Sequence, residues 1–242
     1  MYSIIPLAGP DFVNKDFVIK PLFKIESTPL IKKVLNSRLW VKNGELESQN
    51  MIFILKDIKE SLECENYLKK EFLNCKIVKI SSYAKGALMS SLSGVSLIED
   101  FSQPIIFDLV DIAFDFEKEV NIEDLFKKNN DLGAILPYFK SNNMSYSYAN
   151  IKDNYVLETK EKKGWNFKNT TLKEGNASAG VYFFRNLNIF LNSSADSIKK
   201  FADYNYNNNL FLCPAINSVV EQKKKVLAVK VKNIESFGLK FK

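Results

Sequence analysis

Histidine is absent from this chain of 242 residues, arginine occurs only at Arg38 and Arg185, and glycine only nine times. Each scarcity removes a class of function. Without histidine there is no imidazole base, no Ser-His-Asp triad and no histidine-ligated zinc. The three cysteines, Cys64, Cys75 and Cys213, are too few and too scattered for a disulfide framework or a zinc knuckle, and read as buried or reduced thiols. Any metal must then be held by oxygen, which favours magnesium or a similarly hard cation. No apolar run approaches the roughly 18 residues that a membrane span needs. Asp11 and Asp16 interrupt the first twenty residues, so neither a signal peptide nor membrane insertion is expected, and a cytoplasmic location is.

The scarcity of arginine also bears on the net charge of +6. Arginine is the residue that reads bases and phosphates with a fork of donors, and here the positive charge is lysine almost throughout. The cluster Lys223-Lys224-Lys225 follows a predicted helix and reads as its solvated end. No nucleic-acid partner is expected; the excess charge gives a mild attraction for small anionic substrates.

What the chain does have is an alternation of short apolar runs with helically spaced segments. Residues 2–7, 51–56, 75–80 and 104–109 read as buried strands, and 29–39, 60–72 and 87–98 as helices. The second half is richer in strands, at 132–139, 146–151, 155–159, 179–184 and 225–231, with a helix at 214–222. Residues 42–50 and 162–176 read as loops, the second a candidate lid or substrate loop. With no internal repeat and no long linker, one domain spanning 1–242 is the simplest organisation. The alternation predicts an α/β fold with a mostly parallel central sheet.

Three segments can carry chemistry. The first strand ends at Leu7-Ala8-Gly9, where open α/β sheets place ligands and where backbone N–H groups meet phosphate; Lys20-Pro21-Leu22 then offers an ammonium on a stiffened chain. The second is Pro104-Ile-Ile-Phe-Asp-Leu-Val-Asp-Ile-Ala-Phe-Asp115, an apolar strand ending in acids, an arrangement that suits magnesium. Asp108, Asp111 and Asp115 compete for that role, with helix capping and turn formation as the plainer alternative. Strand alternation places Asp108 among buried residues, where it needs a partner, and Asp111 lies where the strand should end. In the third, 156–162, Glu158, Lys160 and Lys162 alternate like a solvated strand face while Glu161 points inward and requires a partner. Downstream, Gly180 inside a strand pattern suggests close approach to the backbone.

In this order the segments resemble the sugar-phosphate nucleotidyltransferases, over nearly the whole chain. The resemblance rests on Ile4-Ile-Pro-Leu-Ala-Gly9 with Lys20-Pro-Leu22, on Ser82-Tyr-Ala-Lys-Gly-Ala87, on the acidic strand end at Asp111, on Glu161-Lys162 and on Asn176 to Tyr182. Leu212-Cys-Pro-Ala-Ile-Asn217 and Lys225-Val-Leu-Ala-Val229 follow the close of the shorter members. It implies a three-layer α/β/α fold, nucleotide-diphospho-sugar transferase-like and Rossmann-like, with a mixed, mostly parallel sheet. It also implies transfer of a nucleoside monophosphate from a nucleoside triphosphate to a sugar 1-phosphate or similar phosphorylated small molecule, with release of pyrophosphate, in surface polysaccharide synthesis.

Under that resemblance Lys20 and Asp111 are catalytic, and Asp111 holds Mg2+. Leu7, Ala8, Gly9, Lys15, Lys20, Ser82 and Gly86 bind the nucleotide, and Glu161, Lys162, Asn176 and Gly180 bind the acceptor. Two departures stand out. The family's Gly-x-Gly-x-Arg turn is here Gly9-Pro-Asp-Phe-Val-Asn-Lys15, with Lys15 the nearest cation and Pro10 removing an N–H. The expected C-terminal metal aspartate is replaced by Ile234-Glu-Ser-Phe-Gly-Leu239, where Glu235 fits poorly. These departures leave a second expectation, a catalytically impaired nucleotide- or nucleotide-sugar-binding protein of the same fold. A glycosyltransferase, the third reading, lacks its Asp-x-Asp motif at the strand end.

Overall fold

A computed structural model of the protein describes residues 1–16, 18–167 and 173–238. In chain order, β1 (Tyr2–Pro6) is followed by a hairpin of two-residue strands, β2 (Lys24–Ile25) and β3 (Thr28–Pro29), and by helices α1 (Leu30–Ser37) and α2 (Leu39–Lys42). Next come β4 (Met51–Lys56), α3 (Ser61–Glu71), β5 (Lys76–Ile80) and α4 (Ala87–Leu92). The middle of the chain gives β6 (Ile105–Asp108), β7 (Ile112–Phe116), α5 (Ile122–Lys128), β8 (Leu132–Ser141), β9 (Tyr148–Lys152) and β10 (Tyr155–Lys160). The last part holds β11 (Gly175–Ser178), β12 (Val181–Phe184), α6 (Leu187–Lys199), α7 (Phe201–Tyr204), α8 (Leu212–Glu221) and β13 (Lys225–Ser236).

Eleven strands join in the order β5-β4-β1-β6-β12-β8-β11-β9-β10-β13-β7, and β8 also pairs with β13. β5, β4, β1 and β6 are parallel, β12 runs against both β6 and β8, and β8 is parallel to β13. This centre is the mixed, mostly parallel sheet that the alternation predicts; β7, β9, β10 and β11 add antiparallel pairings around it.

Period-two alternation explains the layers. Ile5, Phe53, Ile106 and Phe183 face one core, closed by Leu30, Ile31 and Val34 of α1, Leu68 of α3 and Phe126 of α5. Their neighbours Ile4, Ile52, Ile54, Phe107 and Phe184 face the other, closed by Leu88 of α4, Phe190 of α6 and Ile216 and Val219 of α8. The result is helix, sheet, helix. Trp40 caps the first core, its ring edge-on to Phe183 with centroids 5.0 Å apart. Among the described residues no helix is long and apolar enough to cross a membrane.

The differences from the expected elements have local causes. The strand expected at 104–109 is β6, and a turn in which Val110 takes φ 56° leads from it into a further strand, β7, where none was expected. The expected strand 179–184 starts only at Val181, because Gly180 takes φ 75°. That positive φ is what calls for glycine there, rather than the expected close approach: a Cβ would meet only Leu109, at 3.8 Å. Within the expected loop 162–176, residues 168–172 lie outside the described residues, and Gly175 already begins β11.

Candidate active site

The rim formed by the carboxyl ends of β1 and β6 opens into a pocket of about 510 Å³, lined by residues from nearly every segment singled out in the sequence. Its volume suits a small-molecule ligand. At one end the chain leaves β1 through Leu7, Ala8 and Gly9, all lining residues, and turns tightly, with Phe12 N–H donating to the Gly9 carbonyl at 3.1 Å. Phe12 is buried and anchors the turn. The loop then closes on itself: Val13 bridges to Ile19, and Lys20 N–H donates to the Phe12 carbonyl at 2.8 Å. Pro21 follows at the start of a single 3-10 turn, where its missing N–H costs nothing.

This loop delivers the Lys20 ammonium, 9% exposed, to the pocket floor. There it lies 2.7 Å from Asp111 Oδ1 and also donates to Asp11 Oδ2. Burial alone would lower the lysine pKa, but Asp111 and Asp11 outweigh it and hold the ammonium above its ordinary value. Burial pushes the Asp111 carboxyl up; Lys20 pulls it back, while Asp11 and Asp108 add to the rise.

Asp111 is presented by the β6–β7 turn, and a buried ion pair fixes that turn. Arg38, at the end of α1, donates from Nε to Asp108 Oδ2 at 2.6 Å and from Nη2 to Oδ1 at 2.8 Å, with both side chains fully buried. Asp108 Oδ1 also accepts from Val110 N–H at 2.9 Å, which supports the left-handed residue just before Asp111. The guanidinium stacks on Phe114, 4.5 Å from its centroid. Asp108 is therefore the partnered buried carboxylate that strand alternation calls for, and Asp111 the one facing the pocket. Asp115 is exposed and accepts from Asn233.

The C-terminal strand passes beside Asp111, with Phe237 N–H donating to its carbonyl at 2.8 Å. Ser236 and Gly238 line the pocket there, and neither is acidic. Glu235 turns to Lys33, at 3.1 Å. Among the described residues no group of three or more Asp, Glu, Cys or His side chains converges as a metal cluster. Asp111 and Asp11, from two different loops, face the same ammonium. Two carboxylates completed by ligand phosphate are a donor set that suits magnesium, so the residues present fit that ion.

At the other end, β10 is pinned to α8: Thr159 N–H donates to Asn217 Oδ1 at 2.6 Å, and Thr159 Oγ1 to the Cys213 carbonyl at 2.8 Å. Just beyond the strand, Glu161 is buried, accepts from the Ser147 hydroxyl and lies 3.6 Å from Lys162 Nζ. The Lys162 ammonium sits 4.5 Å from the centroid of Phe211. Tyr182, its pKa pushed up by burial, accepts from Ser178 Oγ at 3.0 Å. Glu161, Lys162, Ser178, Gly180, Tyr182 and Phe211 all line the same pocket.

The two ends are linked through Gly86, which also lines the pocket and takes φ 96°. A Cβ there would overlap the Leu210 carbonyl, and Leu210 exchanges backbone hydrogen bonds with this segment, accepting from Leu88 at 3.1 Å and donating to Lys85 at 2.8 Å. Three expected residues are elsewhere. Lys15 is exposed at the tip of the loop before Lys20, because Asn14 turns the chain there by accepting from Val18 N–H at 2.9 Å. Ser82 is exposed and outside the lining. Asn176 donates to the Ala149 carbonyl at 3.2 Å, tying β11 to β9 instead of facing the pocket. Asp11, Arg38, Ser147, Thr159 and Asn217 were not singled out from the sequence for this site; the inward Glu161 and buried Asp108 signalled the need for partners without identifying them.

The raised state of Glu161 gives a prediction. Burial holds its carboxyl above the ordinary range, only partly offset by Ser147 and Lys162. Such a group contributes its stability below the unfolded value of about 4.3 and loses it as pH rises through the raised folded value. Glu161→Gln is therefore expected to flatten the fall in melting temperature between pH 4.5 and 8, making the variant relatively more stable at the higher pH. Thermal melts at the two pH values check this.

No family model matches the chain, and no curated protein matches it in sequence. Solved structures do. A nucleoside-diphosphate-sugar pyrophosphorylase from Vibrio cholerae superposes with a TM-score of 0.78 at 13% identity, covering 98% of this chain and 96% of its own. A UDP-glucose pyrophosphorylase gives 0.70 at 16% identity, covering 100% and 95%. The inositol-1-phosphate CTP transferase of T. maritima gives 0.66 at 13% identity, covering 97% and 86%. The chain has the fold of these nucleotidyltransferases along its whole length.

Proposed function

We propose that the protein is a nucleotidyltransferase, moving a nucleoside monophosphate from a nucleoside triphosphate to a sugar 1-phosphate or a similar phosphorylated small molecule, with pyrophosphate as the second product. The observation that carries this reading is the convergence, in one pocket, of the Lys20–Asp111 pair at one end and the Glu161–Lys162 pair at the other. The fold shared with pyrophosphorylases and an inositol-1-phosphate CTP transferase supports it.

In this reading the acceptor's phosphate oxygen attacks the α-phosphorus in line, and no covalent enzyme intermediate is needed. The protein aligns two anions and neutralises their charge. Lys20 faces the α-phosphate and takes up charge as it develops. Lys162 grips the acceptor's phosphate, and Glu161, oriented by Ser147, accepts from its hydroxyls. Asp111 and Asp11 are the residues that would hold Mg2+, which supplies charge neutralisation across the phosphates. The setting that suits this activity is the cytoplasmic supply of activated sugars for surface polysaccharide.

The test is incubation with each of the four common ribonucleoside triphosphates, Mg2+ and a panel of hexose 1-phosphates and phosphorylated alcohols, read by pyrophosphate release and product mass. One pairing is expected to release pyrophosphate and yield the matching nucleoside diphosphate conjugate. Triphosphate binding without pyrophosphate from any pairing would overturn the enzyme reading in favour of a ligand-binding protein.

A further inference from the structure

The turn after β1 is where an α/β sheet of this kind ordinarily receives phosphate on backbone N–H groups. Here that turn presents an anion. Asp11 reaches back over Gly9, so closely that a Cβ on Gly9 would lie 2.8 Å from Asp11 Oδ1. Its carboxylate ends on Lys20, the lysine that Asp111 already holds at 2.7 Å. Pro10 removes a donor from the same turn. Although Asp11 is exposed, the residue after it is fixed: Phe12 is buried, its N–H donates to the Gly9 carbonyl and its carbonyl accepts from Lys20 N–H.

One ammonium against two carboxylates leaves the pocket floor with a formal excess of one negative charge. Nearby cations do not relieve it. Arg38 is engaged in full burial by Asp108, Lys15 is at the loop tip outside the lining, and Lys162 is already beside the Glu161 carboxylate. A bare triphosphate approaching Lys20 would meet Asp11 and Asp111 before it met uncompensated positive charge. A divalent cation reverses that sign, because two carboxylates with a phosphate suit its coordination.

We propose that Asp11 is an electrostatic filter that makes the pocket take a nucleoside triphosphate only as its complex with a divalent cation and turns away the free polyanion. This rests on the reading of the pocket as a triphosphate site. Asp11 thereby takes over two positions at once: the turn that would carry a phosphate-binding arginine, and a second carboxylate beside Asp111 where, among the described residues, the C-terminal segment lines the pocket with Ser236 and Gly238. Nucleotide recognition and the divalent cation are coupled through a residue of the turn itself.

The experiment is isothermal titration of the whole chain and of Asp11→Asn with ATP, CTP, GTP and UTP, each in MgCl2 and in EDTA, with thermal melts to verify folding. The unaltered chain is expected to bind its preferred triphosphate about 100-fold more weakly in EDTA. In Asp11→Asn that ratio is expected to fall below about 10-fold, with tighter binding in EDTA as the main change. Asp11→Ser, which removes the charge with a smaller side chain, is expected to behave like Asp11→Asn. Equal binding by the unaltered chain in MgCl2 and EDTA would overturn the filter and leave the proposed function standing. So would an unchanged ratio in both variants. If the unaltered chain binds no triphosphate under either condition, the functional reading itself fails and the filter with it.

Discussion

Lys20→Ala is expected to lower the rate of nucleotidyl transfer by about 10²- to 10³-fold, equivalent to roughly 3–4 kcal/mol of barrier, while the chain stays folded. The ammonium is the one cation on the pocket floor among the described lining residues, placed there by a loop that is itself hydrogen bonded at both ends. Its removal does more than delete a contact. Asp111, whose carboxyl burial already pushes up, loses the ammonium that pulls it back and holds its proton more strongly. The variant should therefore show both a slower single-turnover rate and an activity profile shifted toward higher pH. Pyrophosphate release from a preformed complex with saturating triphosphate measures the first, and repetition between pH 6 and 9 measures the second. A rate within a few-fold of the unaltered chain would remove Lys20 from the chemistry.

The largest loss of stability is expected from Arg38→Ala, at about 3–5 kcal/mol. The guanidinium makes two hydrogen bonds to Asp108, and neither side chain has solvent to fall back on. Truncating one partner strands the other as an uncompensated charge in the core, and the Phe114 ring loses the surface stacked on it. Urea unfolding of the single variant measures the cost. The double variant Arg38→Met, Asp108→Leu separates two roles of the pair. An apolar pair of similar volume is expected to restore most of the stability. It cannot restore the hydrogen bond from Val110 N–H to Asp108, so a β-branched residue at φ 56° is left without its support. The turn that presents Asp111 then relaxes. The double variant should recover its urea midpoint and still bind Mg2+-nucleotide at least about 10-fold more weakly than the unaltered chain. Full recovery of both would make the pair merely structural.

The sheet was legible because its signal is local. Residues 51–56 form a strand with no polar interruption before Lys56, and β4 occupies those six positions. α6 was missed because its buried face is continued by Ser193, Ser194 and Ser197, which hide the helical period; its Asn186 cap, accepting from Ile189 N–H at 3.0 Å, was the overlooked cue. α5 was overlooked despite its Asn121 cap, acids in the first turn and lysines in the last. Nothing local announces that Val110 turns left-handed and sends the chain back into the sheet, so β6 is legible and β7 is not. The site shows the same division. Lys20, Asp111, Glu161 and Lys162, which motif order and strand ends single out, line one pocket, whereas Arg38 meets Asp108 across 70 positions of sequence, a pairing that only the folded chain discloses. Asn176 had the right motif but proved to be a fastener between two strands.

Gly86 carries a consequence for selectivity. Its backbone and that of Leu210 touch with no side chain between them, and the next residue, Phe211, is the ring beside Lys162. The segment that carries Gly86 cannot move away from Leu210 without breaking the backbone bonds between them or drawing the Phe211 ring from the lysine. Under the proposed function, size discrimination by the Gly86 segment would be geared to the grip of Lys162, and enlarging the one would loosen the other even if no residue there were altered.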